Sequence, residues 1–552
     1  MGRSRLLCGI FMCLLLSPVI GYSLAAQPPD GFQIAPENRI LADSSNLFGL
    51  PEIIDLNDAN HSPVSFTRDF ASFFGGNGTD TNRGTAIDPQ GNIIVVGTTS
   101  SVDLPVTLDA SQSDFGGAQD IFLAKFSPDG QNLLYCSYIG GSDRDFAMDL
   151  AVDDYGFIAI TGGTSSEDFP LVQPFQETLN GSQDCFVLKI RPDCKTIMFS
   201  TLFGGSGADS GYAVDIDLFR NVVILSQDDV GDFPLLHPLY QYRGAADLVV
   251  AKFGQFGDLI FSTYLGGMAF ETAGAISFDM QGNIIVAGST NSYYYPLVNP
   301  HQDVHNGQGD VFLTKLRHDG QEILLSTFLG GEGFDHCHGI AIRVSGNIIL
   351  SGVSFSETFP VSENAYQTEY LGDGDAFLTE FKENGTLECS TLLGGSGFES
   401  ATEVTIDRNG SIIITGDTRS HDFPLVHAFQ NEVGGNTDSF IAMLSPDAIT
   451  LRSSSFLGGA DDDFGLGIIV DDSGSVLISG HTHSADFETV NAYQNDRGRG
   501  NDIFICRMTL ESPIFEIIEL PFFNKPEMIP LSAAVTIFVV LGTIMAIRKI
   551  DL

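Results

Sequence analysis

The stretch FSTLFGG at residues 199–205 closes a short apolar run with two glycines, and six near copies of it occur along the chain. The copies are FASFFGG (70–76), YCSYIGG (135–141), FSTYLGG (261–267), LSTFLGG (325–331), CSTLLGG (389–395) and SSSFLGG (453–459). Successive first glycines are 65, 64, 62, 64, 64 and 64 residues apart. A repeat of this length predicts one supersecondary unit that is copied and packed against its neighbours.

Composition excludes two broad classes of protein. The chain is 43% hydrophobic and 17% charged, so it can fill a core, which a disordered chain cannot. It has 70 acidic and 26 basic residues, a formal net charge of −44. This charge repels phosphate backbones, and no run of Lys or Arg offsets it, so nucleic acid is not expected as a partner.

Each repeat contains four strand-like segments. In one repeat, strand A and its turn read AISFDMQGN (275–283), strand B reads NIIVAG (283–288) and strand C reads DVFLTKL (310–316). Strand D follows a second turn and ends in the glycine pair. Strand B is apolar at consecutive positions, so both of its faces must be covered.

Seven units of four antiparallel strands predict a seven-bladed β-propeller, with a linear solenoid as the alternative. The chain ends favour the propeller. The segment VSFTRDFASFFGG (64–76) is an isolated D strand, and the last C strand, DIFICRM (502–508), has no D strand after it. The N-terminal strand is therefore predicted to close the ring beside residues 502–508.

Both ends carry targeting signals. Residues 1–25 have a basic start, an apolar stretch and small residues for cleavage, the pattern of a secretory signal peptide. Residues 528–547 contain no charge and precede Arg548 and Lys549, which predicts one transmembrane helix with a cytoplasmic tail. The predicted parts are the signal peptide (1–25), an N-terminal segment (26–63), the propeller (64–508), a linker (509–527), the transmembrane helix (528–547) and the tail (548–552). This organisation predicts a single-pass protein of the cell membrane with its propeller outside.

The repeated motifs resemble a known family. TGGTSSEDFP (161–170), GSQDCF (181–186) and FSTLFGG follow one another in the order of the SBBP repeat, a β-propeller repeat of many secreted and surface proteins. The resemblance covers about residues 64–508. Departures from the pattern include Tyr293-Tyr294-Tyr295 before Pro296, and Glu488 where a proline is expected. The resemblance implies a propeller scaffold for adhesion or ligand binding and supplies no catalytic residues.

The meander order of the strands assigns the loops to faces. The tight A-to-B and C-to-D turns share one face, while the long B-to-C loops and the glycine pairs share the other, here called the loop-rich face. Strand C of the last blade runs toward the tight turns, so the loop-rich face is expected to point away from the membrane. Ligand contacts on repeat scaffolds usually come from such loops.

Two sets of acids recur on the predicted loop-rich face. Four residues beyond each second glycine stand Asp80, Asp145, Asp209, Glu271, Asp335, Glu399 and Asp463. Each C strand begins with one of Asp120, Asp184, Asp247, Asp310, Asp375, Asp438 and Asp502. The first set could form a ring at the channel mouth that binds a ligand or a cation such as calcium. In the alternative interpretation, each acid caps backbone N–H groups in its own turn.

Signals for catalysis are weak. Three pairs of histidines have close spacings, but none has a Cys partner or a helix nearby, which favours surface histidines over a metal site. They are His301 with His305, His336 with His338, and His481 with His483. Six cysteines beyond the signal peptide do not recur at one repeat position, which favours buried free thiols over disulfides.

Two functions from different classes remain. In the first, the protein is a membrane-anchored binding or adhesion module that recognises an extracellular glycan or protein through its loop-rich face. In the second, it is an extracellular polysaccharide hydrolase or lyase that uses carboxylates near the central channel. Capture of a polysaccharide without cleavage would distinguish the first from the second.

Overall fold

The computed structural model describes residues 64–511 and two short strands before them, β1 (Phe32–Ile34) and β2 (Ile40–Ala42). β1 and β2 form a two-stranded antiparallel sheet of their own. Within the described ranges, no helix is long and apolar enough to cross a membrane. The predicted signal peptide, transmembrane helix and cytoplasmic tail lie outside the described residues, as do most of segments 26–63 and 509–527.

Residues 64–511 form seven four-stranded antiparallel sheets, which confirms the predicted seven-bladed β-propeller. Blade 1 contains β4 (Asp80–Ile87), β5 (Ile93–Thr99), β6 (Asp120–Phe126) and β7 (Leu133–Ile139). Blade 2 contains β8 (Asp145–Val152), β9 (Ile158–Thr164), β10 (Asp184–Ile190) and β11 (Ile197–Phe203). Blade 3 contains β12 (Ser210–Ile216), β13 (Val222–Asp228), β14 (Asp247–Phe253) and β15 (Leu259–Leu265).

The next three blades repeat this order. Blade 4 contains β16 (Glu271–Phe278), β17 (Ile284–Thr290), β18 (Asp310–Leu316) and β19 (Ile323–Leu329). Blade 5 contains β20 (Asp335–Ile342), β21 (Ile348–Ser354), β22 (Asp375–Phe381) and β23 (Leu387–Leu393). Blade 6 contains β24 (Glu399–Ile406), β25 (Ile412–Thr418), β26 (Asp438–Leu444) and β27 (Leu451–Leu457).

Blade 7 takes strands from distant parts of the sequence. It contains β28 (Asp463–Val470), β29 (Val476–Thr482), β30 (Asp502–Glu511) and β3 (Ser65–Phe74). β3 pairs antiparallel with β30, so that Phe73 lies opposite Phe504.

The first strand of every blade lies nearest the propeller axis. These inner strands contact one another in order: β4 with β8, β8 with β12, β12 with β16, β16 with β20, β20 with β24, β24 with β28, and β28 with β4. The last of these contacts completes the ring and excludes the linear solenoid.

Each inner strand carries a β-bulge after its third residue, as between Ala401 and Glu403, or after its second in β12. Next to the bulge, the second strand of six blades has a glycine, because a Cβ there would overlap a carbonyl oxygen of the inner strand. Blade 3 has Ser226 at this position, and its hydroxyl donates to the same carbonyl, Ser210 O, at 2.6 Å.

The phenylalanine of the D-F-P segment is a core residue. In blade 2, Phe169 packs on Phe186 of the third strand with ring centroids 5.0 Å apart. Equivalent pairs are Phe359 with Phe377, Phe423 with Phe440, and Phe487 with Phe504. In blade 4, Tyr295 takes the phenylalanine's place against Phe312 at 4.7 Å. This motif therefore fixes the B-to-C loop to its own sheet.

Buried ion pairs join the strands at the tight-turn face. Lys125 pairs with Asp88 at 2.7 Å, and blades 3 and 4 repeat this contact with Lys252–Asp217 and Lys315–Asp279. In blade 5 the charges are exchanged: Arg343 occupies the turn position and pairs at 2.9 Å with Glu380 on the third strand. Blade 5 therefore has an ion pair at the same place, but the acidic and basic residues have exchanged strands.

All six cysteines of residues 64–511 are free and buried, as the sequence indicated. Burial raises the pKa of the Cys136, Cys185 and Cys506 thiols to about 12. Because a thiolate is the reactive form, these side chains act as apolar packing groups.

Candidate functional site on the loop-rich face

The acid after each glycine pair caps the turn that leads into its inner strand. In blade 5, the Gly331 N–H donates to Asp335 at 2.8 Å, and the hydroxyls of Ser354 and Ser356 donate at 2.5 and 2.8 Å. In six of the seven blades the second glycine donates to its acid in this way, at 2.6–2.8 Å. These are the contacts expected if each acid caps backbone N–H groups in its own turn.

The structure buries all seven acids of the predicted ring. Asp80, Asp145, Asp209, Glu271, Asp335, Glu399 and Asp463 are at most 1% exposed and face packed protein between the blades. Across residues 64–511, no group of three or more His, Cys, Asp or Glu side chains is placed to hold a metal ion. The acids meet in pairs instead, each with the acid that begins the third strand of the preceding blade.

The first glycine of each pair separates the two carboxyl groups of a blade junction. At Gly330, the position where a Cβ would stand is 2.7 Å from an oxygen of Asp310 and 2.7 Å from an oxygen of Asp335. The same arrangement recurs at the other six junctions. Burial raises the pKa to about 6 for Asp145, Asp375, Asp463 and Asp502, and to about 7 for Asp209 and Asp310.

A glutamine in the B-to-C loop completes six of the seven junctions, and it was not among the predicted site residues. The Gln302 side chain donates to Asp310 at 2.8 Å and accepts from the Gly330 N–H at 3.1 Å. The equivalent residues are Gln112, Gln176, Gln367, Gln430 and Gln494. Each lies eight residues before its aspartate, a regular spacing that could have been found in the repeat alignment.

The aspartate of the D-F-P segment also has a structural role. The Ser142 N–H donates to Asp168 at 2.7 Å, and the Ser396 N–H donates to Asp422 at 2.8 Å. These backbone bonds favour the ionised form and lower the pKa of both aspartates. What repeats on the loop-rich face is therefore a scaffold that holds the turn after each glycine pair.

The junction between blades 3 and 4 departs most from this scaffold. Tyr240 replaces the glutamine: its N–H donates to Thr263 at 2.9 Å, as the Gln176 N–H donates to Thr201. Glu271 replaces the usual aspartate and faces Asp247. The Arg243 guanidinium lies over the Tyr240 ring, 4.5 Å from its centroid. This junction therefore lacks the glutamine side-chain amide that donates to the aspartate at the other six junctions.

Beside it lie four exposed apolar side chains, Met268, Phe270, Tyr293 and Tyr294, called here the blade-4 patch. They are between 56% and 71% exposed. The two segments that carry them are hydrogen-bonded: the Met268 N–H donates to Ser292 at 2.8 Å, and the Asn291 N–H donates to Phe270 O at 2.9 Å. At the Met268 position the other blades have Asn77, Ser142, Ser206, Glu332, Ser396 and Ala460. The fold does not require a large apolar residue there.

No protein-family model matches the chain, and no curated protein matches it. It resembles a solved protein of unknown function from Dyadobacter fermentans DSM 18053, with 10% identity, coverage of 81% of this chain and 100% of that chain, and a TM-score of 0.40. It also resembles Sqt1 from Chaetomium thermophilum (10% identity, coverage 75% and 83%, TM-score 0.37). A third similar structure is the quinohemoprotein alcohol dehydrogenase from Comamonas testosteroni (7% identity, coverage 80% and 76%, TM-score 0.38). Likenesses this remote carry no information about ligand or activity.

The inner strand of blade 5 carries two histidines that were predicted to lie on the surface. His336 and His338 lie on the inner strand β20, half-buried, with ring centroids 4.5 Å apart. Burial lowers the pKa of His336 to about 3 and that of His338 to about 4. His305 is buried, so its predicted surface placement is wrong, whereas His336 and His338 keep partial exposure.

Inner strands also carry three acids, Asp149, Asp215 and Glu403. Asp149 accepts from its own strand and, at 2.7 Å, from the Val214 N–H of the next blade. Burial raises the pKa of Asp149 and Asp215 to about 7 and that of Glu403 to about 8, and Asp149 adds to the rise at Glu403. Compared with the unfolded chain, the folded protein therefore favours the protonated forms of these three acids.

We expect Glu403→Gln to raise the melting temperature at pH 8 by about 3 °C. A raised folded-state pKa stabilises the protein below the unfolded value near 4, and this stabilisation is lost as the pH rises toward 8. Glutamine keeps the shape and removes the charge, so its advantage must shrink on acidification to about pH 5. Thermal unfolding at pH 5 and pH 8 measures the difference in melting temperature between the variant and the wild type. An equal difference at both pH values would contradict the raised pKa of Glu403. The matched control is Glu383→Gln on the tight-turn face, which is exposed.

Proposed function

We propose that this protein is a membrane-anchored cell-surface propeller of the SBBP-repeat type that binds a neutral extracellular glycan through the blade-4 patch. The observation that carries the proposal is the patch itself: four large apolar side chains, each more than half exposed, of which Met268, Tyr293 and Tyr294 stand where the other blades have smaller or polar residues. Exposed apolar clusters on loops typically mark binding sites.

The chemistry of the patch fits sugar rings. Tyrosine presents a flat apolar face with a polar hydroxyl, and it loses little conformational freedom on binding. Tyr293 is braced by the His305 ring, with centroids 4.6 Å apart. The net charge of −44 repels polyanions, which favours a neutral glycan over an acidic one.

The anchor and the orientation are supported by the sequence. Residues 528–547 supply the predicted membrane helix, and the predicted signal peptide directs the chain to export. β30 runs from Asp502 on the loop-rich side to Glu511 on the tight-turn side, from which the linker continues. In this arrangement the blade-4 patch faces outward.

Removing both exposed tyrosines, Tyr293→Ala with Tyr294→Ala, is expected to weaken glycan binding about 10-fold or more, since each stacking aromatic contributes roughly 1 kcal/mol. The measurement uses the detergent-solubilised full-length protein on an array of neutral oligosaccharides, followed by titration of the best binder. Tyr155→Ala is the matched control, because Tyr155 is 63% exposed on a tight turn of the opposite face.

Three results would contradict the proposal. The first is equal affinity in the double variant and the wild type. The second is the absence of any bound neutral glycan, with capture of a protein ligand instead. The third is release of shorter chains from the bound polysaccharide, which would indicate the hydrolase or lyase of the alternative hypothesis.

A further inference from the structure

Two buried carboxyl groups face each other at the junction of blades 3 and 4. Asp247 Oδ1 and Glu271 Oε2 each lie 2.5 Å from the position where a Cβ on Gly266 would stand. Both residues are fully buried, and neither of these two oxygens has a hydrogen-bond partner. The unpartnered oxygens thus converge on one place.

This pair is compensated less than its counterparts. Asp247 Oδ2 accepts from the Arg243 N–H at 2.6 Å, and Glu271 Oε1 accepts from the Thr290 hydroxyl at 2.7 Å. The glutamine amide that donates at the other six junctions is replaced by Tyr240. The Gly244 and Gly267 N–H groups also favour the ionised carboxyls, but burial outweighs them, so two buried negative charges here require a cation or a proton shared between them.

Neutral oxygens lie nearby. The position of a Cβ on Gly244 is 2.8 Å from Asp247 Oδ1, 2.5 Å from the Ala269 carbonyl oxygen and 3.1 Å from the Gly267 carbonyl oxygen. Carboxylate and carbonyl oxygens together form the ligand set that calcium prefers, and its coordination tolerates irregular geometry. Magnesium demands stricter octahedral geometry than such a junction offers.

We propose that Asp247 and Glu271 bind one calcium ion at the junction of blades 3 and 4, with the Gly267 and Ala269 carbonyl oxygens as neighbouring donors. Gly267 and Ala269 flank Met268, so the ion also holds the turn that presents the blade-4 patch. The site contains two acids only, in accord with the absence of larger His, Cys, Asp or Glu groups from the described residues.

The test measures calcium directly and uses no glycan, so its outcome is independent of the proposed function. The full-length protein in detergent at pH 7.5 is titrated calorimetrically with calcium chloride, and its bound metal is counted after dialysis. We expect one calcium ion per chain that depends on this pair, and a melting temperature about 3 °C higher in calcium than in EDTA. Glu271→Gln and, independently, Asp247→Asn are each expected to bind one ion fewer than the wild type.

Asp438→Asn is the matched control. Asp438 begins the third strand of blade 6, and both of its oxygens accept backbone N–H bonds, from Gly434 at 2.9 Å and Gly435 at 3.0 Å. This variant is expected to keep the wild-type stoichiometry. The proposal is overturned if the wild type binds no calcium and EDTA leaves its melting temperature unchanged. An undiminished calcium stoichiometry in the folded Glu271→Gln variant would overturn it equally.

Discussion

Gly416→Ala is expected to abolish folding of the propeller or to destabilise it by more than about 3 kcal/mol. A Cβ on Gly416 would overlap the carbonyl oxygen of Ser400. Blade 3 accommodates Ser226 at the equivalent position with a glycine, Gly211, opposite it, whereas Gly416 lies opposite Ala401, whose side chain limits such an adjustment. One methyl group therefore has to displace backbone on both strands.

The loss appears as a lower yield of folded protein or a lower melting temperature. Gly207→Ala is the control, because the nearest atoms to its Cβ would be ends of the Asp229 and Val230 side chains at 3.1 Å. That substitution is expected to change stability by less than about 0.5 kcal/mol. Equal effects of the two substitutions would contradict the role assigned to the bulge.

Arg343→Ala is expected to cost about 3 to 5 kcal/mol. It removes the partner of the buried Glu380 carboxylate, which Arg343 Nε contacts at 2.9 Å. It also removes donors to the Gly410 and Pro446 carbonyl oxygens of blade 6, at 2.8 and 2.9 Å. The substitution thus leaves a buried charge unpaired and loosens the contact between two blades.

Reversing the pair tests this explanation. Arg343→Asp together with Glu380→Lys recreates the polarity of Asp279 and Lys315 in blade 4, and we expect it to be more stable than either single substitution. Arg408→Ala is the control, since its pairing with Asp472 is exposed and is expected to contribute less than about 1 kcal/mol. Thermal or denaturant unfolding of the wild type, the two single variants, the double variant and the control measures the coupling energy between residues 343 and 380. A double variant that is no more stable than the single variants would contradict the stabilising role of this ion pair.

The repeat made the architecture predictable from sequence. Regular spacing of the glycine pairs gives the number of blades, and consecutive apolar residues in the second strand indicate that both of its faces are buried. All seven residues of β5 (Ile93–Thr99) are buried accordingly. The exchange of charge between Arg343 and Glu380 was not predictable, because the two residues meet only after their strands pair across the sheet.

The site was predictable in part. Asp335 and its equivalents were identified by position, but their number around the ring suggested a shared site, whereas packing between blades separates them into pairs. A residue that the blade itself requires recurs in every blade, so repetition alone does not distinguish a ligand site from a structural position. The departure at Tyr293 and Tyr294 was visible in the sequence. Only the folded structure shows that Tyr295 is buried while Tyr293 and Tyr294 are exposed.

The shared sheet of β3 and β30 has a consequence for how the protein is made. In this sheet 446 residues separate Ser65 from Glu511. β3 leaves the ribosome before any blade, and its apolar residues Phe66, Phe70 and Phe73 have no strand to pair with until β30 has been synthesised. A truncated chain therefore keeps an unpaired apolar strand near its start, a feature that cellular proteases can use to remove incomplete copies.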